Sequence, residues 1–354
     1  MLLTFKRTDV EGRTTMGKQI EGAVPDVYGS SVVFDGLNVM KLTPQNIDAA
    51  IAAGVSAIHY TAVRLKHGTL ELALKDIARV HSEVEASGGK AFVAWDGADI
   101  RRAKKEGKLA VILGLQDSKP VALDLSYVRI FAELGIRIIQ ITYNYQGVVG
   151  SGCMEPRDSG LTKFGRTFLA EMAKHGVIPD ISHCGPQTSL DAIEFAERPI
   201  LCTHSNPKGF VDCPRNKADA ILEKLAKRGG VVGIAAYSGM IYRGNNKRPT
   251  VNDVLDAYDY AINLVGPDHV AIGSDTCEGL FTLDEWNQFA GRVTYPELTD
   301  SLGDWYQFDT WFAKGLEGLS ETPNIAVGLA KRGHSPNSLV GIFGENLLRV
   351  MDEY

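Results

Sequence analysis

Two histidines, His183 and His204, each follow a short apolar run and a hydroxyl residue. The runs are Val177–Ile181 and Ile200–Cys202, and a helix-like segment at Ser189–Glu197 lies between them. This order predicts strand, helix and strand, with a histidine at the end of both strands. In a parallel α/β barrel, the carboxyl ends of all strands share one mouth, where the chemistry takes place. We therefore expect the two imidazoles to lie close together and to suit a metal ion such as Zn²⁺.

Polar residues also end most of the other predicted strands. They are Asp35, His59, Gln116, Tyr143, Tyr237 and Asp275. Two histidines and a carboxylate suit a catalytic metal, which keeps one position open for a water and lowers its pKa towards ~7. Asp275 would then act as the base for that water or as a ligand. A histidine at a strand end can also be purely structural, and His59 fits a role at the mouth and a buried structural role equally well.

Arg215 lies on the loop that follows the second histidine. Its forked guanidinium is suited to hold a substrate carboxylate. Cys184, Cys202 and Cys277 are close in sequence to the candidate residues, and core packing explains them better than metal binding or nucleophilic catalysis.

Nine strand candidates alternate with helices, which indicates a parallel sheet. They are Ser31–Phe34, Val55–Tyr60, Ala91–Trp95, Leu109–Leu115, Ile136–Thr142, Val177–Ile181, Ile200–Cys202, Gly230–Ala235 and His269–Gly273. Because polar residues end nearly every strand, a distorted (β/α)₈ TIM barrel with one extra or distorted strand fits better than a doubly wound sheet. The glycine motifs of nucleotide-binding loops, GxGxxG after a strand and GxxxxGK[ST], do not occur. We predict one barrel domain over residues 1–354.

Three segments interrupt this alternation. Residues 1–30 are polar and glycine-rich, and we interpret them as an N-terminal arm. Gln146–Leu161 carries four glycines and is predicted to be a long loop over the mouth. Residues 278–318 are rich in aromatic side chains and are predicted to cap the barrel. The aromatic segment Trp286–Phe312 could bury itself in a homodimer or form a satellite core within one chain.

Composition excludes several classes of partner. The net charge of −6 and the pI of about 5.8 give no general attraction to nucleic acid or to an anionic membrane. Five cysteines without a CxxC pair do not indicate a disulfide framework. No apolar run approaches the ~20 residues that span a membrane, and the first residues are too polar for a signal peptide. We expect a soluble, cytoplasmic protein that acts on a small molecule.

Seven motifs are distributed along most of the chain. They are DGLN at 35–38, GLQ at 114–116, DISH at 180–183, THS at 203–205, PRNKAD at 214–219, DHVAIGSD at 268–275 and GENLLRV at 344–350. With these motifs the chain resembles, from Phe34 to Met351, the membrane (renal) dipeptidases and their bacterial relatives, peptidase family M19. The resemblance implies a distorted (β/α)₈ barrel similar to the amidohydrolases, usually dimeric, with two zinc ions that hydrolyse dipeptides.

The chain departs from the family pattern at four positions. The family's first strand ends in Asp-Gly-His-Asn-Asp, whose histidine and second aspartate bind one zinc, whereas Leu37 and Val39 occupy those positions here. The family's bridging glutamate falls at Gln116, and a histidine that contacts the substrate falls at Tyr143. The positions that keep the family's residues are His183 and His204 of the second zinc, Asp275 and the substrate-binding Arg215.

These departures predict at most one metal ion, because leucine and valine cannot bind metal. His183 and His204 would hold the ion, with the neutral Gln116 as a weak third ligand. The first hypothesis is a dipeptidase-like metallohydrolase of a dipeptide or another small amide with a carboxylate. The expected site residues are Asp275 and Tyr143 as catalytic residues, and Arg215, Tyr237 and His59 as substrate-binding residues. Loss of one of two cations should raise the pKa of the attacking water.

The alternative hypothesis is that hydrolysis has been lost together with three ligand positions. The barrel would then be a metal-free lyase or isomerase that acts through Asp275, His183 and Tyr143. It would otherwise be a binding protein for a small carboxylate.

Overall fold

A closed parallel barrel forms the centre of the computed structural model, which describes residues 24–63, 68–121, 123–289 and 296–354, and two short strands nearer the N-terminus. These two strands, β1 (Arg7–Thr8) and β2 (Thr14–Thr15), pair antiparallel. The strands of the main sheet are β3 (Phe34–Asn38), β4 (Ala57–Thr61), β5 (Ala91–Val93), β6 (Leu109–Leu115), β7 (Ile136–Gln140), β8 (Ile178–Asp180), β9 (Leu201–Ser205), β10 (Val231–Ile234) and β11 (Val270–Ile272). Their order is β4-β3-β11-β10-β9-β8-β7-β6-β5, and an additional β4–β6 pairing closes the ring. The predicted barrel is confirmed.

Strand β5 is the extra strand that the sequence predicts. One edge of β6 pairs with β4 along Ala110–Gly114. The other edge pairs with β5 at Leu109–Val111 and with β7 at Leu113–Leu115. Because a strand has only two hydrogen-bonding edges, β5 and β7 must share the second one. Eight strands therefore close the ring, and β5 is attached outside it.

Helices follow most of the strands and cover the barrel. They are α1 (Asp26–Ser30), α2 (Pro44–Ala52), α3 (Leu70–Glu85), α4 (Gly97–Glu106), α5 (Ser126–Glu133), α6 (Lys163–Lys174), α7 (Pro186–Phe195), α8 (Asp219–Lys227), α9 (Ser238–Ile241), α10 (Val251–Val265), α11 (Leu283–Phe289), α12 (Pro296–Leu302), α13 (Pro323–Lys331), α14 (Pro336–Val340) and α15 (Asn346–Met351). Side-chain caps begin several of them: Thr43, Thr69, Asp96 and Thr162 each accept a hydrogen bond from a backbone N–H of the first turn. No described helix is both long enough and apolar enough to cross a membrane.

The helical segment at the C-terminal end of the described chain is interrupted. A π-helical turn at Gly341–Glu345 separates α14 from α15. Directly after the turn, the Nδ2 atom of Asn346 donates to the carbonyl oxygens of Pro267 and Val270, at 2.7 and 2.8 Å. These bonds hold the chain against the start of β11, and the wider turn accommodates that anchor.

The inside of the barrel is apolar at its base and unusually narrow above it. One apolar cluster draws side chains from all eight ring strands: Phe34, Ala57, Ala110, Ile112, Ile138, Ile178, Leu201, Val231 and Ala271. Above this layer, a Cβ atom at Gly233 or Gly273 would lie 2.1 or 2.0 Å from the carbonyl oxygen of Thr203. Only glycine allows β9 to approach β10 and the end of β11 this closely. The barrel is distorted in this way, and the distortion positions the end of β9.

The described parts of the two predicted peripheral segments both pack on the barrel. In the N-terminal arm, Tyr28 is buried against the ring of Phe343 with centroids 5.2 Å apart. In the segment 278–318, Trp286 is buried and contacts Trp311 with ring centroids 4.1 Å apart. The aromatic rings therefore bury one another within one chain, as expected of a satellite core.

Candidate active site

His183 and His204 meet at the C-terminal ends of β8 and β9. The Nε2 atom of His183 lies 2.9 Å from the Nε2 atom of His204. Both side chains are buried, and the two rings are tilted at 55° with centroids 5.0 Å apart. The barrel thus brings together the two residues that sequence analysis placed at the centre of the site.

Asp180, at the end of β8, fixes both histidine segments. Its Oδ1 atom accepts from the backbone N–H of Ser182 at 3.0 Å, from the Ser182 hydroxyl at 2.6 Å and from the backbone N–H of Thr203 at 3.0 Å. Its Oδ2 atom accepts from the Thr203 hydroxyl at 2.7 Å. Sequence analysis gave Asp180 no role, although an aspartate three residues before a histidine was an available signal.

The outer nitrogen of each imidazole also has a partner. His183 Nδ1 lies 2.6 Å from Asn144 Oδ1, and His204 Nδ1 lies 2.8 Å from Thr203 Oγ1. Asn144 is buried and has a φ of 61°, in the left-handed region that asparagine tolerates better than most residues. The preceding residue, Tyr143, stacks on the His183 ring with centroids 4.0 Å apart. Packing and hydrogen bonding therefore hold His183 on two sides.

The surroundings favour neutral imidazoles. Burial lowers the pKa of His183 and of His204 well below the usual value, and the nearby charge of Arg215 lowers the pKa of both further. A neutral imidazole is the form that binds a metal ion.

Two buried cations flank the histidine pair. Arg215 donates to the carbonyl oxygens of Ser182 at 2.5 Å and His204 at 3.4 Å. Lys217, to which sequence analysis gave no role, donates to the carbonyl oxygen of Cys184 at 2.5 Å. Neither cation forms a salt bridge with any residue in the described part of the chain. Their charges are therefore available to an anionic group of a ligand.

The opposite side of the mouth, at β3 and β11, has no imidazole pair. Leu37 is fully buried, and Val39 packs against the core. Asp35 accepts from the backbone N–H and the hydroxyl of Ser274, at 2.8 and 2.5 Å. Burial raises the pKa of Asp35 to about 6, although these hydrogen bonds oppose the rise. Gln116 donates through Nε2 to the Thr61 hydroxyl at 2.7 Å, and none of its hydrogen bonds reaches a described histidine.

Asp275 follows directly after Ser274. It has a φ of 58°, and its backbone N–H donates to the Leu37 carbonyl at 3.0 Å. Enclosure by the protein raises the pKa of its carboxyl to about 7, and the guanidinium of Arg215 limits the rise. A partly exposed carboxyl with a pKa close to neutrality is suited to general base catalysis.

The remaining predicted residues lie deeper or beside the mouth. His59 is buried, its Nδ1 donates to the Gly36 carbonyl at 2.7 Å, and its Nε2 has no described partner. A Cβ atom at Gly114 would lie 2.0 Å from that Nε2, so the ring occupies space that glycine leaves free inside the barrel. Tyr237 packs between Tyr306 and Phe312, at centroid distances of 5.7 and 5.2 Å. The substrate-binding roles of His59 and Tyr237 stay predictions.

Comparison with known proteins places this architecture in a family. Residues 34–309 match the profile of the family described as membrane dipeptidase (peptidase family M19). The chain belongs to peptidase family M19. A solved structure of an amidohydrolase from Pseudomonas aeruginosa is 30% identical, covers 93% of this chain and 98% of its own, and superposes with a TM-score of 0.83. A metallo peptidase from Rhodobacter sphaeroides, liganded with a phosphinate mimic of L-Ala-D-Ala, shares the fold at 18% identity, with a TM-score of 0.74 and coverage of 91% and 99%.

Curated relatives of this M19 protein are dipeptidases by name. An uncharacterised dipeptidase of Schizosaccharomyces pombe is 28% identical over 73% of this chain and 56% of its own length. The dipeptidase tcpJ of Claviceps purpurea is 26% identical over 84% of this chain and 61% of its own length. The chain thus spans little more than half of the length of these relatives.

The two imidazole nitrogens of this M19 protein are spaced to share a metal ion. A tetrahedral zinc with bonds of about 2.0–2.1 Å holds two nitrogens roughly 3.3 Å apart, within a few tenths of an ångström of the observed 2.9 Å separation. By contrast, the described residues contain no group of three or more His, Cys, Asp or Glu side chains that could hold a metal. Within the described residues, His183 and His204 therefore supply two donors to a metal ion, without a third ligand of these types.

Proposed function

We propose that this chain is a metal-dependent hydrolase of the membrane dipeptidase type that uses a single metal ion. The substrate would be a dipeptide or another small amide with a carboxylate. One observation carries the proposal: the Nε2 atoms of His183 and His204 converge to 2.9 Å in a chain that belongs to a dipeptidase family. Leu37 and Val39, which cannot bind metal, limit the proposal to one ion.

In this mechanism, His183 and His204 would hold the ion, and Gln116 would offer the amide oxygen as a weak third donor. A bound Zn²⁺ would lower the pKa of a water and polarise the amide carbonyl. Burial and the charge of Arg215 lower the pKa of both imidazoles, which favours the neutral form that binds a metal ion.

The side chains around the histidine pair would bind the substrate and move its protons. The carboxyl of Asp275, with its pKa of about 7, accepts a proton from the attacking water at neutral pH and can return it to the leaving amine. Arg215 would hold the substrate carboxylate, because its guanidinium donates only to backbone carbonyls and forms no salt bridge with a described carboxylate. Tyr143, stacked on His183, lines the same side of the mouth.

Assembly and location are proposed from the sequence only. The homodimer would use the aromatic segment Trp286–Phe312, although its described rings already contact one another within one chain. A cytoplasmic location and the absence of nucleic-acid and membrane partners likewise stay predictions.

Metal content tests the proposal directly. Untagged protein, purified without chelators or added zinc, should contain about one ion per chain by inductively coupled plasma mass spectrometry. His204→Ala should remove the ion and abolish turnover of a panel of dipeptides and N-acyl amino acids. The matched control is His175→Ala, which removes a partly exposed histidine bonded to Glu171.

Two results would contradict this function. If His204→Ala left both metal content and turnover unchanged, the histidine pair would not be the metal centre. A fully active preparation without metal would favour the lyase or isomerase, and ligand binding without turnover would favour the carboxylate-binding protein. Two ions per chain would show that other residues replace the donors missing at Leu37 and Val39.

A further inference from the structure

Each histidine of the pair is anchored through its outer nitrogen, Nδ1, which forms a hydrogen bond with another side chain of the barrel. The Nδ1 atom of His183 meets Asn144, and the Nδ1 atom of His204 meets Thr203. All four side chains are buried, so water does not compete for these bonds. The partner of each Nδ1 decides which nitrogen of that ring carries the hydrogen.

The Thr203 hydroxyl has only one hydrogen, and its position is determined by Asp180. The Oδ2 atom of Asp180 accepts that hydrogen at 2.7 Å. The Ser182 hydroxyl donates its own hydrogen to the Oδ1 atom of the same carboxylate at 2.6 Å. Thr203 Oγ1 can therefore only accept from His204, which places the hydrogen of His204 on Nδ1.

The same reasoning applies to His183. Its Nδ1 lies 2.6 Å from the Oδ1 atom of Asn144, and a side-chain amide oxygen can only accept. The hydrogen of His183 is therefore also on Nδ1. The two Nε2 atoms, 2.9 Å apart, then present lone pairs to each other. Two facing lone pairs at this distance repel unless a cation lies between them.

The loop over the mouth holds Asn144 in place. The Asn144 carbonyl oxygen accepts from the backbone N–H of Met154 at 2.8 Å. A Cβ atom at Gly152 would lie 2.0 Å from the Asn144 carbonyl carbon, so only glycine permits this approach. Cys153 adds a hydrogen bond from its backbone N–H to the His183 carbonyl at 2.8 Å. The loop thus joins Asn144 and His183 into one unit.

We infer that Asn144 and Thr203 are positioning residues: they fix the tautomers of His183 and His204 so that both Nε2 lone pairs face one cation, with Asp180 orienting Thr203. This inference rests on the proposed metal centre. Partners of this kind around metal-binding histidines typically affect metal affinity by about 10–100-fold.

The test measures Zn²⁺ affinity by competition with a chromophoric chelator, and the absorption spectrum of the Co²⁺-loaded protein. Thr203→Val, which keeps the shape but removes the acceptor, should weaken Zn²⁺ binding about 10–100-fold, and Thr203→Ser should restore it. Asn144→Leu should weaken binding by a similar factor. Asn144→Asp, which keeps an acceptor at the same place, should bind within a few-fold of the wild type. Both weakened variants should show an altered Co²⁺ spectrum.

Two control variants separate positioning from general loss of stability. Thr188→Val removes a buried hydroxyl that binds Asp158 rather than a histidine. Asn346→Leu removes a buried amide at the opposite end of the barrel. Both controls should lower the melting temperature to a similar extent while leaving Zn²⁺ affinity and the Co²⁺ spectrum unchanged.

Different failures have different meanings. If wild-type protein and His204→Ala bind Zn²⁺ equally weakly, the metal centre itself is wrong, and this inference fails with it. If the histidines bind Zn²⁺ but Thr203→Val and Asn144→Leu bind as tightly as the wild type, only the positioning role is overturned. Asn144→Asp binding as weakly as Asn144→Leu would show that the amide donates, which reverses the tautomer of His183.

Discussion

The half of the mouth at β8 and β9 and the half at β3 and β11 share one hydrogen-bonding pattern. In each half, a buried aspartate accepts from the backbone N–H and the hydroxyl of a residue on the neighbouring strand. Asp180 binds Thr203 in this way at 3.0 and 2.7 Å, and Asp35 binds Ser274 at 2.8 and 2.5 Å. Two further residues of each half lie at these strand ends. One directly follows the hydroxyl residue, and the other comes three places after the aspartate.

The two halves differ in those following residues. In one half they are His183 and His204, and in the other they are Asn38 and Asp275. The amide of Asn38 is used up, because its Oδ1 accepts from the Met40 backbone and its Nδ2 donates to Thr276 and Asp35. An imidazole has a nitrogen at each end, so one can be anchored while the other binds a metal. The shared pattern thus positions residues, and the residue type decides whether a metal can bind.

The largest effect is expected when the half at β3 and β11 is given the metal ligands that it lacks. The triple variant Leu37→His, Val39→Asp, Gln116→Glu supplies the ligand types that the family has at these positions. We expect metal content to rise from about one to about two ions per chain. Without metal the variant should be less stable by several kcal/mol, because Leu37 is fully buried and polar replacements lack partners.

Metal content and urea unfolding, with and without Zn²⁺, check this variant. The control Leu37→Gln, Val39→Asn is similarly polar but supplies only weak neutral donors. A metal content that stayed at one ion in the triple variant would show that more than three side chains separate the two halves.

Asp275→Asn tests the proposed role of Asp275 as the general base. Asp275 lies in the half of the mouth at β3 and β11. Loss of a general base should lower kcat/KM about 10²–10⁴-fold. The wild-type rate should rise with pH through about 7, where the Asp275 carboxyl loses its proton. Wild-type turnover by the variant would eliminate Asp275 as the base.

The same substitution should stabilise the fold at alkaline pH. The pKa of Asp275 is raised in the folded state to about 7, so the folded state loses stability relative to the unfolded state as pH rises towards and through 7. Asp275→Asn should therefore be about 1–2 kcal/mol more stable than the wild type at pH 8, and close to it at pH 4. Urea unfolding at both pH values measures this, with the exposed Asp212→Asn as control.

Paired substitutions of the two aspartates sharpen the comparison. Asp180→Asn and Asp35→Asn should each lower the free energy of unfolding by about 1–3 kcal/mol. In each variant an amide NH₂ group faces the N–H and O–H donors whose hydrogen bonds the carboxylate accepted. Only Asp180→Asn should also weaken Zn²⁺ binding, by about tenfold or more, since Asp180 orients Thr203. Equal loss of Zn²⁺ affinity in both variants would argue that the halves are coupled.

The pH dependence of the Asp35→Asn variant tests the raised pKa of the buried aspartate in the half without imidazoles. Burial raises the folded-state pKa of Asp35 to about 6, above the unfolded value. The contribution of Asp35 is therefore most favourable below about pH 4 and declines as pH rises through 6. The difference in unfolding free energy between wild type and Asp35→Asn should shrink by about 2–3 kcal/mol between pH 4 and pH 7. A difference that did not change with pH would contradict the raised pKa.

Local sequence was enough to predict the elements of the barrel. The predicted bounds of β6 (Leu109–Leu115) agree with the structure, and the other strands are shifted by up to four residues at an end. These elements have an uninterrupted apolar run or a 3.6-residue apolar period between residues that end them. The histidine pair was predictable for the same reason, because each histidine lies at or just beyond the end of such a run.

Tertiary structure alone decided how the elements and side chains pair. The pairing of β4 with β6, which leaves β5 outside the ring, joins strands that are not consecutive in the sequence. The partners of the key side chains are also far apart in the sequence. Asn144 is 39 residues from His183, and Ser274 is 239 residues from Asp35. Such bonds depend on strand register and on the close approach of β9 at Gly233 and Gly273, which no local pattern encodes. The sequence alone therefore determined which residues end the strands, and only packing decided which of their atoms face one another.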